Sequence, residues 1–253
     1  RVKGQEYGAD VRFFDGRLNF DITYYYQKSF DILLPRPVAP SSGFNYIYTN
    51  SGQMYNKGIE ITASVVPVQK KNFKWEMGFT WAKNKNKVLK LADGVTEVNI
   101  EQAFDGIGSY AIVDQPYGAF YGTAWQRNSA GQLIINPATG LPYIDPKSQN
   151  LGNPYPDWIG GVRNTLTYKT ITFSFLWDIR HGGKIWNGTY MRMNNVGTSE
   201  DSGDREGTKV IDGVLGDGTV DAAGYAHATT TSNNVPVDGY TYWRHYRGDS
   251  GGA

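Results

Sequence analysis

The sequence predicts an all-β chain: antiparallel strands, each with one apolar and one polar face, from the wall of a large membrane-spanning β-barrel with long extracellular loops. Three observations predict it. Apolar and polar residues alternate at period two in three separate hairpins. The short turns of these hairpins fall on one side and the long excursions on the other, as in outer-membrane barrels. No apolar run approaches the ~18 residues of a membrane helix, so a membrane reading must use strands. The mean hydropathy of −0.49 is compatible with that, because lumen-facing residues dilute lipid-facing ones.

The first hairpin is GQEYGADVRFF, Asp15-Gly16, then RLNFDITYYYQ. Asp-Gly is the preferred pair for a two-residue type I′ turn. That turn sets Phe13 opposite Leu18, Val11 opposite Phe20, Ala9 opposite Ile22 and Tyr7 opposite Tyr24. Asp10, Arg12, Asn19, Asp21 and Thr23 fall on the other face, with Arg12 diagonal to Asp21 and within reach of an ion pair. Residues 31–55 read as a long connection, because Pro35, Pro37, Pro40 and Ser41-Ser42-Gly43 interrupt any central strand.

The central hairpin is the stretch around which the chain is organised. NKGIEITASV alternates Ile59, Ile61, Ala63 and Val65 with polar residues, and FKWEMGFTW alternates Phe73, Trp75, Met77, Phe79 and Trp81 with Lys74, Glu76 and Thr80. A five-residue turn between Val66 and Asn72 sets Val65 opposite Phe73, Ala63 opposite Trp75, Ile61 opposite Met77 and Ile59 opposite Phe79. The lysines of Lys83-Asn84-Lys85-Asn86-Lys87 then read as a solvated strand end, not a nucleic-acid patch. Residues 88–157 read as mostly irregular, a rim loop whose shorter β signal at Gly118–Gln126 belongs to a protruding hairpin.

The third hairpin joins VRNTLTYK to ITFSFLWDIR at Lys169-Thr170. Tyr168 then faces Ile171, Leu166 faces Phe173, Asn164 faces Phe175 and Val162 faces Trp177, with Asn164 the single polar misfit. From Gly197 onward periodicity is lost, which reads as another long loop. Six strands of about 9–11 residues cannot close a ring with a lumen, so the chain reads as a fragment of a barrel. It opens directly into a strand pattern, without a signal peptide, and reads as an interior piece of a longer protein.

Composition narrows the chemistry. A net charge of +1 gives no general pull toward nucleic acid. The absence of cysteine removes disulfides and thiolate metal sites. His181, His227 and His245 lie in separate irregular stretches without zinc-site spacing. Asp212, Asp217 and Asp221 do not have the spacing of an EF-hand loop, although aspartates can chelate Ca²⁺. Asn187-Gly188-Thr189 matches a glycosylation sequon. No phosphate loop or nucleophile elbow is present, so the chain reads as a non-enzyme without a cofactor.

The blocks EYGADVRFFDGRLNFDITYYYQKSFDIL, SGQMYNKGIEITASV, FKWEMGFTWAKNKNKVLKL, QPYGAFYGTAW and GNPYPDWIGGVRNTLTYKTITFSFLWDIRHGGKIWN, in this order, resemble a C-terminal barrel segment of the SusC/RagA-like TonB-dependent transporters of Bacteroidetes. The resemblance covers roughly residues 5–190, and residues 191–253 match only loosely. It implies that residues 1–253 are one segment of a roughly 22-stranded outer-membrane barrel whose N-terminal plug is absent here. It also implies import of oligosaccharides or peptides, energy supplied through TonB, and a SusD-like lipoprotein over the extracellular mouth. One departure is visible: NSAGQLIINPATGLPYIDPKSQN is nearly free of acids where the family often carries an acidic, Gly-containing loop, which argues against a loop-bound cation.

On this reading Leu18, Phe20, Ile22, Ile59, Ile61, Phe73, Trp75, Phe79, Leu166, Phe173, Phe175 and Trp177 face lipid. Asp10, Arg12, Asp21, Glu60, Glu76 and Asp178 face a wet lumen. The loop aromatics Trp125, Tyr155, Trp158, Trp186 and Tyr190 are candidates for substrate contact, since sugar rings stack on such side chains; their plainer role is rim girdle or loop packing. The alternative class is a soluble or surface-exposed β-sandwich that binds glycans or mediates adhesion, in which the apolar faces would meet as a core.

Overall fold

The computed structural model describes residues 1–104 and 106–248. In chain order its strands are β1 (Val2–Phe13), β2 (Leu18–Pro37), β3 (Tyr46–Lys70), β4 (Phe73–Lys90), β5 (Glu97–Phe104), β6 (Ile107–Ile112), β7 (Ala119–Gly122), β8 (Ile134–Ile135), β9 (Gln149–Gly152), β10 (Trp158–Tyr168), β11 (Ile171–His181), β12 (Thr208–Val210), β13 (Val214–Val220), β14 (Ala226–Ser232) and β15 (Pro236–Asp238). Helix α1 spans Gly188–Val196 and a one-turn α2 spans Gly239–Thr241. The chain divides into two compact units, one of residues 1–98, 110–119 and 153–184, the other of residues 99–109, 120–152 and 185–253.

The first unit is built on a six-stranded antiparallel sheet in the order β1-β2-β3-β4-β10-β11. β1 and β11 are its open edges, so the sheet does not close. The first hairpin has the expected register, from Phe13 opposite Leu18 to Tyr7 opposite Tyr24. Asp15 and Gly16 both have positive φ, 55° and 82°, as a type I′ turn requires. The third hairpin also pairs as expected, Leu166 with Phe173 and Val162 with Trp177. Its turn holds Lys169 at φ 51° and is tied to the neighbouring turn by the Lys169 N–H, which donates to the Asn72 carbonyl at 2.9 Å.

The central hairpin departs from expectation. Lys70 pairs with Phe73 across a tight turn, and a bulge sets Val66 and Pro67 against Glu76 alone. Val65 therefore faces Met77, Ala63 faces Phe79, Ile61 faces Trp81 and Ile59 faces Lys83, a slip of four residues along β4. The bulge gives Pro67, which lacks an N–H, a position outside the ladder. It also frees the Val66 N–H to donate to the Arg17 carbonyl at 2.8 Å, with the Arg17 guanidinium returning a bond to Val66 O at 3.1 Å.

Residues 31–55 are not a long connection. β2 runs on to Pro37 and β3 starts at Tyr46, joined by a short link with a 3₁₀ turn at Pro40–Ser42. Pro35 and Pro37 pair with Tyr48 and Tyr46 on β3. Opposed irregularities at Ser29–Ile32 and Ile32–Leu33, with Asp31 at φ 55°, restore the pairing. At the end of the sheet away from the short turns, Val88, Leu91 and Ala111 form a small core flanked by Leu34, Val95, Val98, Val113 and Tyr117.

Residues 88–157 hold more structure than their weak pattern suggests. β5, β6, β7 and β9 form a four-stranded sheet, and Gly118–Gln126 contributes β7 to it, outside the six-stranded sheet. Residues 197–253, expected as loop, are folded as far as they are described. In the second unit Leu133, Ile135, Ile211 and Val237 form a core. β8 pairs in parallel with β13, which pairs antiparallel with β14, and β12 pairs with β15. Asn187 caps α1 by accepting the Tyr190 N–H at 3.0 Å, so the sequon asparagine has a local structural role.

Candidate functional site: a two-faced sheet

The register places the expected faces without interruption across all six strands. One row runs Val11, Phe20, Ala63, Phe79, Val162 and Trp177, and the next runs Ala9, Ile22, Ile61, Trp81, Gly160 and Ile179. Leu18, Ile59, Phe73, Trp75, Leu166, Phe173 and Phe175 fall on the same face. The opposite face carries rows such as Asp10, Asp21, Thr62, Thr80, Gly161 and Asp178, together with Glu60, Glu76 and Arg12.

Nothing among the described residues covers the apolar face. Ile59 and Phe79 lie in the interior strands β3 and β4, yet remain 40% and 36% exposed. The buried apolar side chains, among them Val88, Leu91, Ile107, Leu133, Ile135 and Ile211, come from elsewhere. A sandwich would bury these central positions against a second sheet. An exposed apolar surface this wide fits a lipid-facing wall. β10 and β11 have 11 residues each, a length of about 35 Å that covers roughly 25 Å of bilayer at a 40° tilt.

Two details show how the faces are held. Asn164, the misfit, is 6% exposed, and its Oδ1 accepts the Trp75 indole N–H at 3.2 Å. The pair satisfies both polar groups on an otherwise apolar surface. On the polar face Tyr25 lies across Gly58, its hydroxyl donating to Asn84 Oδ1 at 3.2 Å. A Cβ on Gly58 would stand 2.5 Å from the Tyr25 hydroxyl and 2.6 Å from the Lys83 carbonyl, so the close crossing requires glycine.

The polar face brings Asp10, Arg12 and Asp21 around one open hollow of about 400 Å³, with Asn19, Thr62 and Ser64. Arg12 pairs with Asp10 at 3.2 Å and not with Asp21, because residues two apart on one strand share a face and lie close. Glu76 is held by Lys74 at 2.8 Å, while Glu60 and Asp178 stand in other rows of the face.

The five aromatics separate. Tyr155 is exposed, and Trp158 begins β10 and stacks on His181 with centroids 5.3 Å apart and planes 7° from parallel. Trp125 packs half-buried against the core of the second unit, beside Tyr246 at 6.1 Å. Tyr190 lies on α1 and donates its hydroxyl to Asp201 at 2.7 Å, and Trp186 is half-buried just before that helix. The three histidines are not brought together around a metal: among the described residues no three His, Cys, Asp or Glu side chains form a potential metal cluster. Asp217 and Asp221 instead cap turns, accepting the N–H groups of Thr219 and of Ala223 and Tyr225.

Sequence reasoning missed Gln126, which is 3% exposed. Its amide donates to the Ile144 and Gly224 carbonyls at 2.9 and 3.0 Å and accepts the Ala226 N–H at 2.8 Å. Asp204 was missed too. Its carboxylate takes the Lys209 ammonium at 2.5 Å and the Trp243 indole N–H at 2.9 Å. These bonds, Lys209 first, hold its pKa below the usual carboxylate range.

Comparison with known proteins agrees with this geometry. The family model described as TonB dependent receptor-like, beta-barrel matches residues 1–245. TonB-dependent receptor P26 of Formosa agariphila is 29% identical over 205 residues, which cover 74% of this chain and 20% of that receptor. TonB-dependent receptor SusC of Bacteroides thetaiotaomicron is 25% identical over 204 residues, covering 76% of this chain and 20% of SusC. A solved structure of the RagAB peptide transporter shares the fold with a TM-score of 0.61 at 18% identity, over 77% of this chain and 22% of that one. The chain thus spans about a fifth of the length of the curated relatives it matches. The two-faced open sheet and these matches lead to one conclusion: the chain belongs to the TonB-dependent receptor β-barrel family of the outer membrane, a family of receptors and transporters and not of enzymes.

Proposed function

We propose that this chain supplies part of the wall of an outer-membrane transporter that imports oligosaccharides or peptides, is energised through TonB and is covered by a SusD-like lipoprotein. The apolar face from Leu18 to Trp177 meets lipid, and the face bearing Asp10, Arg12, Asp21, Glu60, Glu76 and Asp178 lines a wet lumen. The carrying observation is the uncovered apolar face, continuous in register across six strands. The three tight turns lie at one end of the sheet, and the long excursions after β4 and β11 leave from the other. That asymmetry supports an extracellular side for the excursions. The exposed Tyr155 is the best placed of the five aromatics to touch a substrate; Trp125 serves mainly to pack its unit.

Fractionation of the full-length protein, with a pull-down from detergent extract, tests this. Recovery in the outer membrane together with a lipoprotein of SusD type supports the transporter. Recovery in the soluble fraction without detergent refutes the lipid-facing assignment. Recovery in the outer membrane without a lipoprotein removes the lid from the proposal and leaves the wall.

A further inference from the structure

Beyond the apolar band, toward the long excursions, the same face of the sheet turns basic. On β4 the apolar positions end at Trp81, and the next three outward positions are Lys83, Lys85 and Lys87. On β3 the position beyond Ile59 is Lys57, on β2 the position beyond Tyr26 is Lys28, and β1 adds Lys3. The register stacks these side by side. One row reads Lys3, Lys28, Tyr55 and Lys87, and the next reads Gln5, Tyr26, Lys57 and Lys85. Lys3 and Lys28 are direct cross-strand partners, and so are Lys57 and Lys85. Like charges directly opposite destabilise a sheet, so this arrangement calls for a counter-charge.

The chain supplies little of it. Lys87 has Asp114 at 2.7 Å, and Asp31 is engaged by Arg1 at 2.9 Å. Among the described residues the other five lysines have no carboxylate within salt-bridge distance. Three of them lie over rings: Lys28 over Phe30 at 4.9 Å, Lys3 over the same ring at 6.0 Å and Lys57 over Tyr55 at 5.6 Å. Tyr26 and Tyr55 stack at 5.8 Å beside them. An open cleft of about 350 Å³ adjoins the band, lined by Lys83, Lys85, Lys87 and Tyr55, with Asp114 and Asp157 the acids on its wall. Aromatic rings with basic side chains just past an apolar band are the chemistry of a membrane interface.

We infer that this lysine band is a binding surface for the phosphate-bearing headgroups of outer-leaflet lipids. The inference rests on the lipid-facing assignment of the apolar face. Ammonium groups in adjacent rows would share phosphate oxygens, and the like-charge pairs would be relieved only when the lipid is present. The band would thereby fix the depth of the wall in the membrane.

The test uses the full-length protein in neutral-detergent micelles, with thermal unfolding followed during titration of phosphatidylglycerol. Wild type should be stabilised, and Lys28→Gln/Lys57→Gln/Lys85→Gln should need at least about tenfold more lipid for the same shift. The matching Lys→Arg variant should behave as wild type. Without lipid the glutamine variant should melt no lower than wild type, because it loses a repulsion; this also shows that it folds. Equal titration of wild type and glutamine variant overturns the inference. So does phosphatidylcholine acting as well as phosphatidylglycerol, and inorganic phosphate alone acting as well assigns the band to a free anion and overturns the lipid. Failure of the underlying reading looks different, since the full-length protein would then leave the outer-membrane fraction.

Discussion

Phe79 and Thr80 are neighbours in sequence and lie on opposite faces of the sheet, which makes them a sensitive pair for testing the proposed wall. Phe79 sits between Ala63 and Val162 on the apolar face; Thr80 sits between Thr62 and Gly161 on the polar face. Phe79 is six positions along β4 from Phe73, at the turn end. At ~3.4 Å per residue and a tilt of ~40° this is about 15 Å into an apolar band ~25 Å tall, close to its middle. Arginine at that depth costs about 2–4 kcal/mol, roughly a 30- to 1000-fold change in the folding equilibrium. Thr80→Arg puts the same side chain into water opposite a glycine and should cost about 1 kcal/mol or less. Urea unfolding of the full-length protein in liposomes, followed by tryptophan fluorescence, measures both. Equal losses, or a larger loss for Thr80→Arg, would refute the assignment of the two faces.

Three further outcomes are expected. Gly58→Ala should destabilise by about 1–3 kcal/mol in the same unfolding assay, because the added Cβ meets the Lys83 carbonyl, which belongs to the sheet backbone and cannot rotate away. Trp75→Phe should cost about 1–2 kcal/mol by leaving the Asn164 amide without its donor, and Trp75→Phe/Asn164→Leu should recover most of that loss in a double-mutant cycle. Asp204 has a folded pKa below its unfolded value, so its contribution is present above about pH 4 and is lost as pH falls through the folded value. Trp243 fluorescence between pH 7 and pH 2 should therefore show an acid transition in wild type that Asp204→Asn largely lacks; identical transitions would remove Asp204 from that role.

What could be read from the sequence follows from what each signal constrains. Asp15-Gly16 and Lys169-Thr170 sit in turns tight enough to pin their hairpins, and both registers follow from them. Alternation alone fixes register only to an even number of residues. That is why Ile61 reads equally well opposite Met77 and opposite Trp81, and why the faces survive a slip of four. Pro67 looked like part of the turn and is the bulge; Pro35 and Pro37 looked like strand breakers and are paired with Tyr48 and Tyr46 of β3. The second unit had almost no periodic signal to offer. β8 has two residues and β12 three, and the core they help to build joins Leu133 and Ile135 to Ile211 and Val237 across long sequence separations. Gln126 gives no local sign that its amide links residues 144, 224 and 226. Trp125 reads as a loop tryptophan in a glycine-rich stretch, and its packing against the core around Leu133 and Ile135 depends on distant partners that no local pattern reveals.

β10 and β11, at 11 residues, match a tilted crossing of the bilayer, whereas β2, β3 and β4 have 20, 25 and 18 residues. At ~3.3 Å per residue β3 is about 80 Å long, more than twice what a tilted crossing needs. The surplus lies at one end, since all three strands meet the short turns at the other. The lysines of β2, β3 and β4 mark where the surplus begins, and above them Leu34 and Val88 help to build the small core around Leu91 and Ala111. A wall serving only as a lipid seal would stop at the band of tyrosines and lysines. One that continues as a paired sheet with its own core gives the strands a stiff extension past that band.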